Sequence, residues 1–165
     1  MVDSAFVYMK KLKTTNVDPP TELMPRIQVA AGLVYHDGRY LIARRRPQVH
    51  LGGLWEFPGG KQEASESLEK CLARELREEL GIEIARPVLF RVIRHRYPDK
   101  VVELHFFRCR LKGGQPKALG CEDFRWITSG ELRQYRFPPA DQPLIEALER
   151  EATDVRKAER LGSNR

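Results

Sequence analysis

The stretch that decides the fold is residues 60–82, GKQEASESLEKCLARELREELGI. Leu68, Leu72, Leu76 and Leu80 recur every fourth residue with Cys71 beside them. That spacing predicts a helix over about Ser67–Leu80 with one apolar stripe. Ser65 and Ser67 both suit its N-cap, and Gly81 suits the left-handed residue that closes a helix. Glu75, Glu78 and Glu79 stand at i, i+3 and i+4, so they share a second face. Three carboxylates that close repel one another unless cations sit among them. They read either as a solvated acidic face or as hard oxygen donors for a divalent ion.

Working outward, Ile27–Tyr35 is a buried-strand pattern. Asp37-Gly38 supplies turn chemistry, and Tyr40–Arg44 returns as a second strand, giving a hairpin. Leu54–Phe57 reads as a short strand ended by Pro58, with Gly59-Gly60 and Lys61–Ser65 as loop. Pro87–Arg96 and Val101–Leu111 suit an antiparallel pair, Val88, Phe90 and Val92 sharing one face of the first and Val102, Leu104 and Phe106 one face of the second. Asp123–Ile127 is a short strand, and Ser129 opens a short helical segment. Phe137-Pro-Pro-Ala-Asp141 leads into a final helix that packs through Leu144, Ile145 and Leu148. The order of elements predicts an α/β or α+β chain with a mixed sheet and helices on its faces. Residues 1–24 read as an N-terminal arm, 25–150 as one domain, and 151–165 as a charged tail that frays.

With 165 residues, 41% of them apolar and 32% charged, the chain suits one domain with its own core. No apolar run is long enough for a transmembrane helix, and the first residues make a poor signal peptide. Cys71, Cys109 and Cys121 are sparse and odd in number, which predicts reduced thiols and a cytoplasmic protein without a membrane partner. The net charge of +6 suits nucleotides, nucleic acid or an acidic partner. A wide basic field or a recognised polynucleotide module is not visible, so stable polynucleotide binding is not expected. Monomer and homodimer both remain open.

Gly60, Glu66, Arg74-Glu75-Leu76, Glu78-Glu79 and Gly81-Ile82 together resemble the Nudix box, without departure at its defining positions. Leu41–Arg46, Gly53–Lys61 and Phe137–Leu144 resemble the MutT branch, which holds the 8-oxo-dGTP diphosphatases and related CTP pyrophosphohydrolases. The resemblance spans roughly residues 26–150. It implies an α/β/α sandwich around a mixed central sheet. It also implies a magnesium-dependent nucleoside triphosphate pyrophosphohydrolase, with manganese able to substitute, that cleaves between the α and β phosphates.

The resemblance assigns the metal to Glu75, Glu78, Glu79 and the Gly59 carbonyl. It gives Glu66 and Arg74 the task of organising those carboxylates, which a guanidinium fork does well. Two residues compete as general base: Glu78, inside the box, and Glu122, on the loop before Trp126. Arg44 and Arg45 match a pair that follows the second strand in the branch, Arg45 being the better phosphate or base contact. Phe57 either packs on a base or fills core. Lys61 lies near the phosphates or faces solvent. Lys100 stands where the 8-oxo-dGTP enzymes carry arginine.

Asp141 stands where those enzymes carry asparagine. Ionised aspartate only accepts hydrogen bonds, which suits an exocyclic amino group such as cytosine N4, and also guanine N1–H or N2–H. As an N-cap for the final helix it would have a plainer use. Three functions follow: sanitation of 8-oxo-dGTP, hydrolysis of CTP, dCTP or modified cytosine nucleotides, and a nucleotide-binding regulatory module without catalysis. The complete glutamate set argues against the last.

Overall fold

The computed structural model describes residues 24–162. Expectations for residues 1–23 and 163–165 lie outside the described residues. In chain order the elements are β1 (Arg26–His36), β2 (Arg39–Arg44), β3 (Trp55–Glu56), β4 (Gly59–Lys61), α1 (Leu68–Leu80), β5 (Glu83–Arg96), β6 (Val101–Gly113), β7 (Asp123–Ile127) and α2 (Gln142–Gly162). Short 3₁₀ turns cover Ser129–Gln134 and Pro139–Asp141.

The described residues form a mixed seven-stranded sheet with main order β3-β2-β1-β6-β5; β4 pairs with β1, and β7 with β2. β1 and β6 are parallel from Arg26↔Val101 to Tyr35↔Arg110, and the other pairings are antiparallel. The β1–β2 hairpin turns through Asp37 (φ 47°) and Gly38 (φ 77°), two successive positive φ values as a tight twisted hairpin requires.

One helix covers each face. Leu72, Leu76 and Leu80 of α1 join Ala30, Val34 and Phe107 in one core cluster. Leu144, Ile145 and Leu148 of α2 join Leu33, Ile42 and Phe106 in another. The three layers are the expected α/β/α sandwich. Ser67 is the cap that forms: its hydroxyl accepts from the Lys70 amide at 3.3 Å, so Ser67→Ala costs about 1 kcal/mol. Gly81 ends α1 at φ 67° and donates to the Arg77 carbonyl.

Two expectations are corrected. Gly59–Lys61 is a strand, paired Val29↔Lys61, Ala30↔Gly60 and Ala31↔Gly59. Glycine has little strand propensity, but here it permits close approach: a Cβ on Gly59 would lie 2.0 Å from the Ala30 carbonyl oxygen. In β5 the alternation slips, with register shifts at Ala85/Val88 and Leu89/Arg91. Phe90 and Ile93 therefore pack on the α2 side, while Val88 and Val92 stay exposed, because an extra residue changes the phase of the strand. Beyond residue 150 the charged stretch that the sequence allows to be helical continues α2 to Gly162.

Candidate active site

The first residues of β1 and β6, with Phe57 and the Pro138–Asp141 turn, enclose a cavity of about 490 Å³. One end is polar. There α1 presents Glu75 and Glu79 beside Gly59, Gly60 and Lys61. Gly60 is required for this approach, since a Cβ there would stand 2.3 Å from the Glu75 carboxyl carbon.

Arg74 holds this end together. Its Nη2 donates to Glu66 Oε1 at 2.7 Å and its Nε to Glu66 Oε2 at 3.2 Å, a bidentate fork. Its Nη1 reaches Glu75 at 2.8 Å and Glu78 at 3.4 Å, and its Nη2 also donates to the Lys61 carbonyl. Glu66 accepts from the Glu63 amide at 2.8 Å as well. The Arg74 bonds come first among the causes that hold the Glu66 carboxyl down at about 2. Glu66 thus ties the entry loop to the helix through Arg74, as a charge-assisted pair does best.

Glu79 lies deeper. Burial, and then Glu56 and Glu75, push its carboxyl up to about 7, against the opposing Arg45 charge and a Gly59 backbone hydrogen bond. Among the described residues no three or more His, Cys, Asp or Glu side chains gather as a metal-binding set. Glu75 and Glu79 line the cavity, whereas Glu78 leans out toward Arg74 with its side chain 59% exposed. The donor chemistry still fits a hard divalent ion: oxygen donors converge, and their mutual repulsion is what a cation relieves.

The other end collects Arg45, Glu56 and Asp141 from three distant segments. Arg45 donates to Glu56 at 2.6 Å and to the His50 carbonyl at 2.9 Å. Burial raises the Glu56 carboxyl, opposed by Arg45. Asp141 is 6% exposed, and no described residue donates a hydrogen bond to its carboxyl. The helix-capping use is therefore not made. Burial, and then Glu56, push Asp141 up to about 7. Near neutral pH such a carboxyl divides between an ionised form that accepts and a protonated form that also donates.

Phe57 is buried against Phe137 (centroids 5.5 Å, stacked) and also lines the cavity. Lys61 and Lys100 also line the cavity, and Lys100 Nζ sits 5.5 Å from the Tyr97 ring centroid. Arg44 and Glu122 are placed elsewhere. They pair with each other at 3.4 Å, the Glu122 amide donates to the Arg44 carbonyl, and neither lines the cavity. Sequence reasoning missed Glu56, His50 and Tyr97. For Glu56 a signal existed, an acid between Trp55 and Phe57 in a strand, where alternation turns it away from its apolar neighbours.

The NUDIX domain profile matches residues 29–147. The chain belongs to the Nudix hydrolase family. Its relatives place it in the MutT-like branch. It is 38% identical over 125 residues to the CTP pyrophosphohydrolase of Escherichia coli (strain K12), covering 76% of this chain and 93% of that one. It is 33% identical over 128 residues to the 8-oxo-dGTP diphosphatase of the same organism, covering 77% and 99%. Among solved structures, the MutT protein from Methanosarcina mazei Go1 superposes with a TM-score of 0.69 at 25% identity, covering 78% of this chain and 96% of that one. In this Nudix chain no described helix is long and apolar enough to cross a membrane, and Cys71, Cys109 and Cys121 are free and buried.

Proposed function

We propose that this Nudix hydrolase cleaves nucleoside triphosphates between the α and β phosphates, releasing nucleoside monophosphate and pyrophosphate. The observation that carries the reading is the Arg74-organised carboxylate set against two glycines in a cavity whose lining also includes Arg45, Phe57 and Asp141. Glu75, Glu79, the Gly59 backbone and, from the rim, Glu78 would hold magnesium, which when bound supplies charge neutralisation of the phosphates and a more acidic water. Arg74 fixes the orientation of Glu75 and Glu78. Glu78, the exposed member, is the candidate to take the proton of the attacking water. Water oxygen bonds to phosphorus as the bridging P–O bond breaks, and pyrophosphate leaves. Lys61 and Arg45 stand within the cavity to meet phosphate charge, and Phe57 supplies an apolar wall.

Two bases fit the Asp141 end. Ionised, the carboxylate accepts from N1–H and N2–H of guanine or 8-oxoguanine. Protonated, it donates to cytosine N3 while accepting from N4–H. The first supports sanitation of 8-oxo-dGTP. The second supports hydrolysis of CTP or dCTP, and with the buried Asp141 raised to about 7 both forms are present near neutral pH.

The test is initial rates with magnesium on 8-oxo-dGTP, the eight ordinary nucleotides, 5-methyl-dCTP and ADP-ribose, with products separated. Monophosphate plus pyrophosphate is expected. Release of orthophosphate, or turnover of ADP-ribose alone, would defeat the reading. The faster of 8-oxo-dGTP and the cytosine nucleotides decides between the two bases.

A further inference from the structure

The parallel strands β1 and β6 line the first cavity with their early residues, and their late residues line a second. It lies on the same sheet face and has a volume of about 750 Å³, within the range that small-molecule ligands fill. Leu33, Tyr35 and Tyr40 form part of its floor, and the second half of α2 overhangs it through Leu148, Ala152 and Val155. Tyr35 and Tyr40 pair across the hairpin with ring centroids 5.2 Å apart, and Tyr35 is 44% exposed.

Four arginines line this groove: Arg86, Arg108, Arg110 and Arg156. Arg108 is engaged, pairing with Glu151 and lying over the Phe90 ring at 3.9 Å. The other three meet no carboxylate among the described residues. Arg156 donates only to the Ala152 carbonyl of its own helix.

Arg86 is also held in an unusual backbone state. It takes φ 52° inside the register shift between Ala85 and Val88, immediately before Pro87. Left-handed backbone is disfavoured at a non-glycine residue, and a residue before proline ordinarily stays extended. Bulges of this kind re-aim side chains, and this one brings Arg86 to the groove that Arg110 lines. Strain of this sort persists where the surroundings fix it, and it clusters at ligand sites.

We propose that this groove is a second nucleotide site that needs no divalent ion. Its phosphates rest on Arg86, Arg110 and Arg156, and its base lies against Tyr35 and Tyr40. Guanidinium forks replace the metal as the counter-charge for phosphate, and the tyrosine pair supplies the stacking surface. The reaction assigned to the first cavity is not needed for this site.

The experiment is calorimetric titration of the full chain with an α,β-methylene nucleoside triphosphate in EDTA. Inorganic tripolyphosphate serves as the second probe. Asparagine tolerates positive φ, so Arg86→Asn combined with Arg110→Gln keeps the fold, which the thermal midpoint checks. Wild type is expected to bind the nucleotide in EDTA, and the double variant to bind it about tenfold more weakly. Magnesium-dependent turnover at low nucleotide should be unchanged in that variant. Tyr35→Ala should weaken the nucleotide but not tripolyphosphate. Absence of binding in EDTA, or equal binding by the double variant, overturns the site. Tripolyphosphate binding as tightly as the nucleotide overturns the role given to the tyrosines.

Discussion

The two ends of the first cavity handle negative charge in opposite ways. At the α1 end one guanidinium serves Glu66, Glu75 and Glu78 at once, and the carboxyl it grips hardest, Glu66, is strongly acidic. At the far end Arg45 is committed to Glu56, and Asp141 is left buried without a donor. The carboxylates gripped by Arg74 are electrostatically settled before a ligand arrives; Asp141 at the far end, and Glu79 at the near one, whose carboxyl is likewise pushed up to about 7, are unsettled until one does. Groups that must hold a fixed geometry are best locked by charge-assisted bonds, and a group that must choose a partner is best left without one.

The contrast is broken most severely at the α1 end. Glu79→Gln is expected to lower magnesium-dependent turnover roughly a thousandfold with the fold retained. Near-normal rates in a folded variant, checked by circular dichroism, would remove Glu79 from the reacting end. Arg74→Ala leaves three carboxylates without their shared cation and should cost about a hundredfold in kcat. Arg74→Lys restores charge without the fork and should recover only part of it; full recovery would show that charge, and not geometry, is what Arg74 supplies.

At the far end Asp141→Asn should act first on stability and on choice of base. The carboxyl titrates near 3.8 when unfolded and near 7 when folded. Between those values the folded state holds the extra proton, so this residue's contribution to stability falls as pH rises from about 4 to about 7 and is flat above. Asparagine removes that loss. Thermal unfolding should show no gain at pH 4 and a gain of roughly 1–3 kcal/mol at pH 8. In the wild type the ratio of cytosine to 8-oxoguanine turnover should rise as pH falls through about 7. A pH-independent ratio would take base choice away from Asp141. The smallest effect belongs to Glu122→Gln, which breaks a part-exposed pair with Arg44 and should change turnover by less than about threefold. A collapse there would bring Glu122 into the reaction after all.

The α1 end was legible in the sequence because it is local. Helical spacing alone puts Glu75, Glu78 and Glu79 together, and Arg74 and Glu66 lie within the same 23 residues. Leucine spacing and strand alternation each mark a buried face, which made the mixed α/β character legible, while the α/β/α sandwich itself came from the resemblance to the Nudix family. The far end is assembled from residues 45, 56 and 141, and no period in the chain links them. Glu56 passed as an ordinary strand residue, and the titration of Asp141 depends on a burial that its neighbours in sequence do not reveal. The β4 strand was missed because its pairing rests on what glycine lacks, which propensity counts against it. The slipped register of β5 was missed because Val88, Phe90 and Val92 alternate correctly on paper, and an extra residue undoes the alternation.

The length of α2 has one further result. The helix begins just after Asp141, is held within its first two turns by Leu144, Ile145 and Leu148, and ends over the arginine groove. At 1.5 Å per residue its 21 residues make a rod of about 30 Å. The rod thus runs from the turn that carries Asp141 to the rim of the arginine groove, one rigid element shared by both cavities.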